Sequence, residues 1–435
     1  MSIIRLGLAP EDFVWASGIE DTFVPQTRPG HRALDEYALI GHYDHWRSDL
    51  ALARDLGVQA LRWGIPWYRV EPQPGVFDWR WTDEVLPYMV QELGIAPILD
   101  LMHYGCPFWL AREFDNPDYP ARVATYAAAV AERYKDLVQW YTPLNEPVMN
   151  AWMCGQRGAW PPYLKGDHGY ARLMLQLADG IQQTVAAIKA IDPQAVMVHV
   201  EVAGRYEPAT PADSALAEMM NLRTLLCFDL LAGRVTPAHP LWFWLLAEGA
   251  PAERLAAIQA AAIPLDVVGL NFYPQWGTKA VGQNRAGQRS YRPIDKSGSG
   301  FVAMIAGYYE RYGTPIMITE TSARGADQVR AAWLDHSLDA IGQLRSAGVP
   351  VIGYTWFPMF TMVNWSYRFG AKPWQDYRLE LGMYRLNEEN SAARWSATPL
   401  VAQFQQRRAH PATSIGHMPQ LTTHESVTQQ LEPER

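Results

Sequence analysis

The feature that most restricts this chain is an alternation. Eight short apolar runs rich in β-branched or aromatic residues, at 13–17, 60–63, 96–101, 139–144, 195–200, 267–272, 316–319 and 352–356, are separated by segments with apolar residues at helical spacing. Near-continuous apolar runs suit strands covered on both faces, and parallel strands need helical crossovers between them. Helices are expected near 44–56, 83–93, 122–134, 170–191, 215–231, 301–312, 326–347 and 398–408. In the longest, apolar residues recur at Leu173, Leu175, Leu177, Ile181, Val185 and Ile188, and Asp192-Pro193 stops it because proline disfavours helical backbone at the residue before it. Eight such units predict an α/β fold, a single (β/α)8 barrel. The open doubly wound alternative lacks its usual signatures, since G-x-G-x-x-G and G-x-x-x-x-G-K-[ST] are both absent.

No linker-like stretch interrupts the chain, so residues 1–410 are expected to be one barrel domain. The polar, aperiodic residues 411–435 are expected to be a disordered tail. Thirty-seven Lys and Arg against 45 Asp and Glu give a net charge of −8, with both signs scattered. Such a surface argues against nucleic acid and anionic membrane as partners. Cys106, Cys154 and Cys227 are odd in number and lack C-x-x-C spacing, which fits reduced core thiols and suggests neither a disulfide framework nor a zinc site. Arg5 and Pro10 break the first apolar run before it reaches signal-peptide length, and no apolar stretch approaches a membrane span. The expectation is a cytoplasmic protein. The 18 Trp and 21 Tyr serve either the core or the stacking of sugar rings, and composition does not separate the two.

In a barrel, the ends of the strands converge on one face, where active sites sit. Here those ends carry Glu20, His103, Tyr104, Asn145, Glu146, Glu201, Tyr273, Glu320 and Trp356. Glu146 follows the run QWYTPL and Glu320 follows PIMIT. A carboxylate where a buried strand opens into a pocket is costly unless paired or protonated, although each could merely cap a following helix. As a pair on strands four and seven they fit glycoside hydrolysis with retention. That chemistry needs a nucleophilic carboxylate and an acid/base carboxyl about 5–5.5 Å apart across the anomeric carbon. Glu146, beside Pro147 and aromatic residues, is the expected proton donor, and Glu320 the expected nucleophile.

These residues resemble glycoside hydrolase family 1, the β-glucosidase family, over about residues 13–385. TPLNEP (142–147) is similar to the TxNEP acid/base motif and ITET (318–321) to the ITENG nucleophile motif. In the same order, LRWGIPWYRVEPQPG (61–75) resembles RFSxxWxRxxP and LDLMHYGCPFWL (99–110) resembles LxHWDLPxWL. GLNFYP (269–274) resembles GLNYY, and GYTWFPMFTMVNW (353–365) resembles YFxWSLxDNFEW. The resemblance implies that Arg62 and Tyr273 bond the nucleophile, Asn145 holds the sugar 2-hydroxyl, His103 touches the 3-hydroxyl and Trp356 forms a sugar platform, with Trp365 also retained. It further implies a cis peptide at Trp356–Phe357. Arg62 read without it could be a structural ion-pair partner, and His103 a satisfied core histidine.

The chain departs from the motifs where they contact the sugar. Gly18 replaces the Gln of QxEG, Asn364 replaces the Glu of DNFEW, and Tyr104 replaces Trp. The expected partner is therefore a small-molecule glycoside or oligosaccharide whose glycone need not be plain glucose, with no cofactor or metal. His199 and Glu201, with His103, are weaker as metal ligands than as side chains that line the pocket or bond one another, and His42, Asp44 and His45 suggest a solvated helix start. Three alternatives remain open: transfer of the glycosyl group to an acceptor alcohol, a catalytically weak sugar-binding barrel, and another barrel glycosidase family of the same clan.

Overall fold

The structure is a computed structural model that describes residues 3–284, 287–295, 297–387, 393–411 and 415. The tail expected at 411–435 thus lies outside the described residues, apart from Pro411 and Ile415.

Eight strands close into a barrel: β1 (Val14–Gly18), β2 (Ala60–Gly64), β3 (Ala96–Asp100), β4 (Trp140–Thr142), β5 (Val196–Val202), β6 (Val267–Asn271), β7 (Ile316–Thr321) and β8 (Val351–Trp356). Every neighbouring pair is parallel, and β1 pairs with both β2 and β8, which leaves no edge. The (β/α)8 expectation holds, with strand bounds within a few residues of the apolar runs. The largest difference is β4, only three residues long: Pro143 has no N–H to give a ladder, so the strand stops and Asn145 rejoins Val200 as an isolated bridge.

Alternate strand residues fill the barrel, among them Val14, Ala16, Ile98, Trp140, Val198, Val200 and Met317, while the residues between them meet the helices. That alternation corrects one expectation. His199 and Glu201 share the outward set of β5 and neither lines the catalytic-face cavity nor bonds the other. Glu201 instead accepts hydrogen bonds from the backbone N–H of Val148 and Val202, and burial lowers the His199 imidazole to about 4.

The helices that answer to the expected segments are α1 (His42–Leu56), α2 (Thr82–Pro87), α3 (Tyr119–Tyr134), α4 (Gly166–Ile191), α5 (Ser214–Leu231), α6 (Phe301–Tyr312), α7 (Asp327–Ser346) and α8 (Pro399–Ala409). The segment expected as one helix at 83–93 divides at Pro87, which donates no hydrogen bond, and continues as a π-helical turn over Tyr88–Glu92. Nor is the start of α1 solvated throughout. His42 is fully buried, with its Nδ1 2.8 Å from Asp49 Oδ2 and its Nε2 accepting from the Trp63 indole at 3.1 Å. All three cysteines are free and buried. No helix among the described residues is long and apolar enough to cross a membrane.

One smaller sheet bears on the site. Arg205–Pro208, from the loop after β5, pairs parallel with Thr278–Gln283, which pairs antiparallel with Arg289–Asp295; both latter strands lie between β6 and α6.

Candidate active site

The barrel register brings the polar strand ends together. Gly18 is level with Arg62, and Glu320 with Asn271. Above these ends lies a cavity of about 370 Å³, lined on its polar side by Glu20, His103, Tyr104, Glu146, Asn271 and Glu320. Tyr273, Trp276, Trp365, Met362, Leu379 and Leu381 provide much of the remaining wall. The volume is that of a small-molecule site.

Glu320 is held by two donors. Arg62 Nη1 forms an ion pair with Oε1, and the Tyr273 hydroxyl donates to Oε2 at 2.7 Å. Arg62 is fully buried; it also pairs with Asp100 and donates to Asn145 Oδ1 at 2.7 Å, so one guanidinium fixes three strand ends. Burial would lower its affinity for a proton, but Asp100, Glu320 and Asp21 outweigh that and keep it charged.

Glu146 has a different environment. The Tyr104 hydroxyl donates to its Oε2 and Asn271 Nδ2 donates to Oε1 at 3.0 Å, both neutral groups. Thr319 in turn donates to Asn271 Oδ1 at 2.7 Å, which fixes the amide with its nitrogen toward Glu146. Glu146 takes a left-handed backbone, φ 44°, at the start of the turn Pro147–Asn150, and Tyr104 also has positive φ, 125°. Such conformations in residues with side chains cost about 1–3 kcal/mol each and persist where the surroundings fix them, commonly at functional sites.

Burial raises both carboxyls, Glu320 to about 8, and each charge opposes the other, so the pair holds a proton between them through neutral pH. The contacts decide which one carries it. Arg62 lowers the cost of charge on Glu320 through a direct ion pair, whereas Glu146 hydrogen-bonds only neutral groups and feels Arg62 and His103 without contact, so the negative charge is favoured on Glu320 and the proton on Glu146.

His103 lines the cavity with Asn145 Nδ2 2.9 Å from its Nε2; its Nδ1 faces Asp21 at 2.9 Å and Asp100 at 3.3 Å. Burial would lower this imidazole, but Asp21, Glu20 and Asp100 outweigh it and hold the ring well above its ordinary value. The ligand atoms of Asp21, Asp100 and His103 all lie within 4.8 Å of one another. Arg62 already pairs with Asp100, while His103 Nδ1 and Asp100 Oδ1 are buried without a hydrogen bond among the described residues.

The expected residues Glu146, Glu320, Arg62, His103, Asn145, Tyr273 and Trp365 thus meet at one end of the barrel. Trp356 is placed differently. Its ring is fully buried, its Nε1 donates to Leu381 O at 3.0 Å, and it is not among the side chains that line the cavity. The cis peptide falls one residue later than expected, at Phe357–Pro358, where a proline amide makes the cis form far less costly; a second lies at Pro161–Pro162.

Several contributors carried no assigned role in the sequence. Tyr104 and Glu20 stood out only as polar strand ends. Asn271 lay hidden inside GLNFYP, although an Asn that ends a β-branched strand is a polar group with nowhere to go but the site. Asp100, closing the run APILD, gave the same signal. Gly18 has its explanation in Phe357: a Cβ at Gly18 would lie 2.5 Å from that ring, so Phe357 fills the space where the family motif places Gln.

Comparison with known proteins agrees with this architecture. The sequence model of glycosyl hydrolase family 1 matches residues 16–227. The galactolipid galactosyltransferase SFR2 of Arabidopsis thaliana is 24% identical over 350 residues, 75% of this chain but only 52% of that protein. Beta-glucosidase A of Thermotoga maritima is 24% identical over 367 residues, 76% of this chain and 80% of that protein. In fold, the family 1 β-glucosidase structure from Thermotoga maritima superposes with a TM-score of 0.79 at 18% identity, covering 95% of this chain and all of that one. The chain thus matches the glycosyl hydrolase family 1 model over just under half of its length and shares the barrel fold of a family 1 β-glucosidase.

Proposed function

We propose that this chain is a retaining β-glycosidase that cleaves O-glycosidic bonds by double displacement. The observation that carries the reading is the unequal treatment of two carboxyls facing one cavity: Glu320 bound by Arg62 and Tyr273, Glu146 by neutral Tyr104 and Asn271. In the first step Glu320 attacks the anomeric carbon while Glu146 gives its proton to the departing oxygen. In the second, Glu146 takes a proton from water, which displaces Glu320 and restores both groups. Asn145 and His103 bind the sugar hydroxyls, and Trp365 lends an aromatic wall.

The test is the initial rate of the wild type and of Glu320→Ala on aryl β-glycosides of gluco, galacto, fuco, manno, xylo and N-acetylamino sugars. Turnover of one member that falls by about 10³ or more in the variant is expected. Turnover that survives the change would remove Glu320 from the chemistry. A second reading, transfer to an acceptor hydroxyl instead of water, is favoured by the galactosyltransferase relative and by the apolar part of the cavity wall. It predicts alkyl glycosides among the products when an alcohol is added.

A further inference from the structure

The cavity does not end at the two carboxyls. Met149, Trp152, Val202, Ala203 and Lys279 line it and also line an adjoining groove of about 130 Å³. Met149 and Trp152 stand on the turns that begin at Glu146, so this groove opens on the side from which Glu146 would protonate a leaving oxygen. The half-buried Lys279 projects here from the small sheet. Its ammonium lies 5.7 Å from the ring centroid of Tyr206 and has no ion pair or hydrogen bond among the described residues. Arg205, exposed at the outer end, has no ion pair among the described residues either. Trp152, Tyr206 and Tyr291 supply the aromatic walls, and no acidic residue lines the groove, in a chain whose acids outnumber its bases by eight.

A half-buried cation without a direct ion pair is costly, and burial pulls the Lys279 amine below its ordinary value, opposed only by Glu146 across the cavity. Aromatic walls around an unanswered positive charge form a site for a flat group with an anionic end. We propose that the groove is the leaving-group subsite for an aromatic aglycone bearing a carboxylate, with Lys279 as the residue that selects it and Arg205 as an outer guide. This rests on the glycosidase reading above and adds the class of substrate. Glu146 protonates the phenolic oxygen while the carboxylate, a ring's length away, meets Lys279.

The experiment compares two β-glycosides of the glycone found by the panel, one of 3-(4-hydroxyphenyl)propanoate and one of its neutral amide. Two methylene groups insulate the phenolic oxygen from the carboxylate in both, so leaving-group acidity is matched. The wild type is expected to favour the acid about tenfold or more in kcat/KM, through KM. That preference should shrink with added salt, disappear in Lys279→Gln and persist in Lys279→Arg. A ratio near one in the wild type, or a ratio that Lys279→Gln leaves intact, overturns the proposal. If the panel yields no glycone, the glycosidase reading fails by itself, and calorimetric binding of free 3-(4-hydroxyphenyl)propanoate decides the subsite. Binding about tenfold weaker in Lys279→Gln upholds it, and equal or absent binding in both proteins overturns it.

Discussion

Tyr104 is the side chain through which the proton on Glu146 can best be examined. Its hydroxyl donates to Glu146 and favours the charged form, so removing it should make Glu146 hold its proton to higher pH. In Tyr104→Phe the alkaline limb of the kcat/KM profile is expected to move upward in pH. The plateau should fall by about tenfold or less, as suits one hydrogen bond of about 1.5 kcal/mol to a group that becomes charged. A limb that stays in place, or moves to lower pH, would show that Glu146 does not control it. Residue identity in this site was largely legible because buried acids at strand ends have few structural uses. What could not be read was pairing: nothing in the spacing of Arg62, Asp100 and Asn145 says that one guanidinium joins all three, since that depends on the register of three separate strands.

At the scale of elements, the ends of β1 and β8 share one volume. Gly18 leaves room for the Phe357 ring, which follows Trp356 where the family motif has Ser, and a Cβ at Gly18 would also come within 3.1 Å of the Arg62 carbonyl. Gly18→Ala therefore overpacks the junction and should lower stability by about 1–3 kcal/mol in urea unfolding. Gly18→Ala combined with Phe357→Ala should lose less than the sum of the two single changes, because the ring is the nearer obstacle to the new Cβ; additive losses would mean the two positions do not share the space. The sequence made the loss of Gln visible but not its cause, since positions 18 and 357 are distant in the chain and adjacent only after the barrel closes. Strand existence was easy to read and strand ends less so, as Pro143 shows in β4. The alternation VMVHVEV puts His199 and Glu201 on one face of β5, but alternation alone does not say that the valine face fills the barrel and the other meets the helices.

Across the whole molecule, the folding equilibrium should report a carboxyl far from the chemistry. Glu113 is buried with positive φ, 46°; one oxygen lacks a partner, and burial raises the group from 4.5 to about 8. Between those values the folded protein keeps a proton that the unfolded chain has lost, so stability contributed by this group declines as pH rises from about 5 to 8. Glu113→Gln is expected to flatten that decline and to be more stable than the wild type at pH 8 by on the order of 3 kcal/mol. Parallel urea midpoints for the two proteins from pH 5 to 8 would refute it.

The wall that carries Lys279 belongs to a sheet that shares no hydrogen-bonded ladder with the barrel. Its strands come from two excursions of the chain, one after β5 and one after β6, so their side chains can be exchanged without disturbing any barrel pairing. Substitutions there would change which leaving groups are accepted while Glu146 and Glu320 stay anchored to the barrel strands. A lineage could change the molecules it acts on by redrafting about twenty residues, and an engineer could transplant that patch between relatives as an interchangeable part.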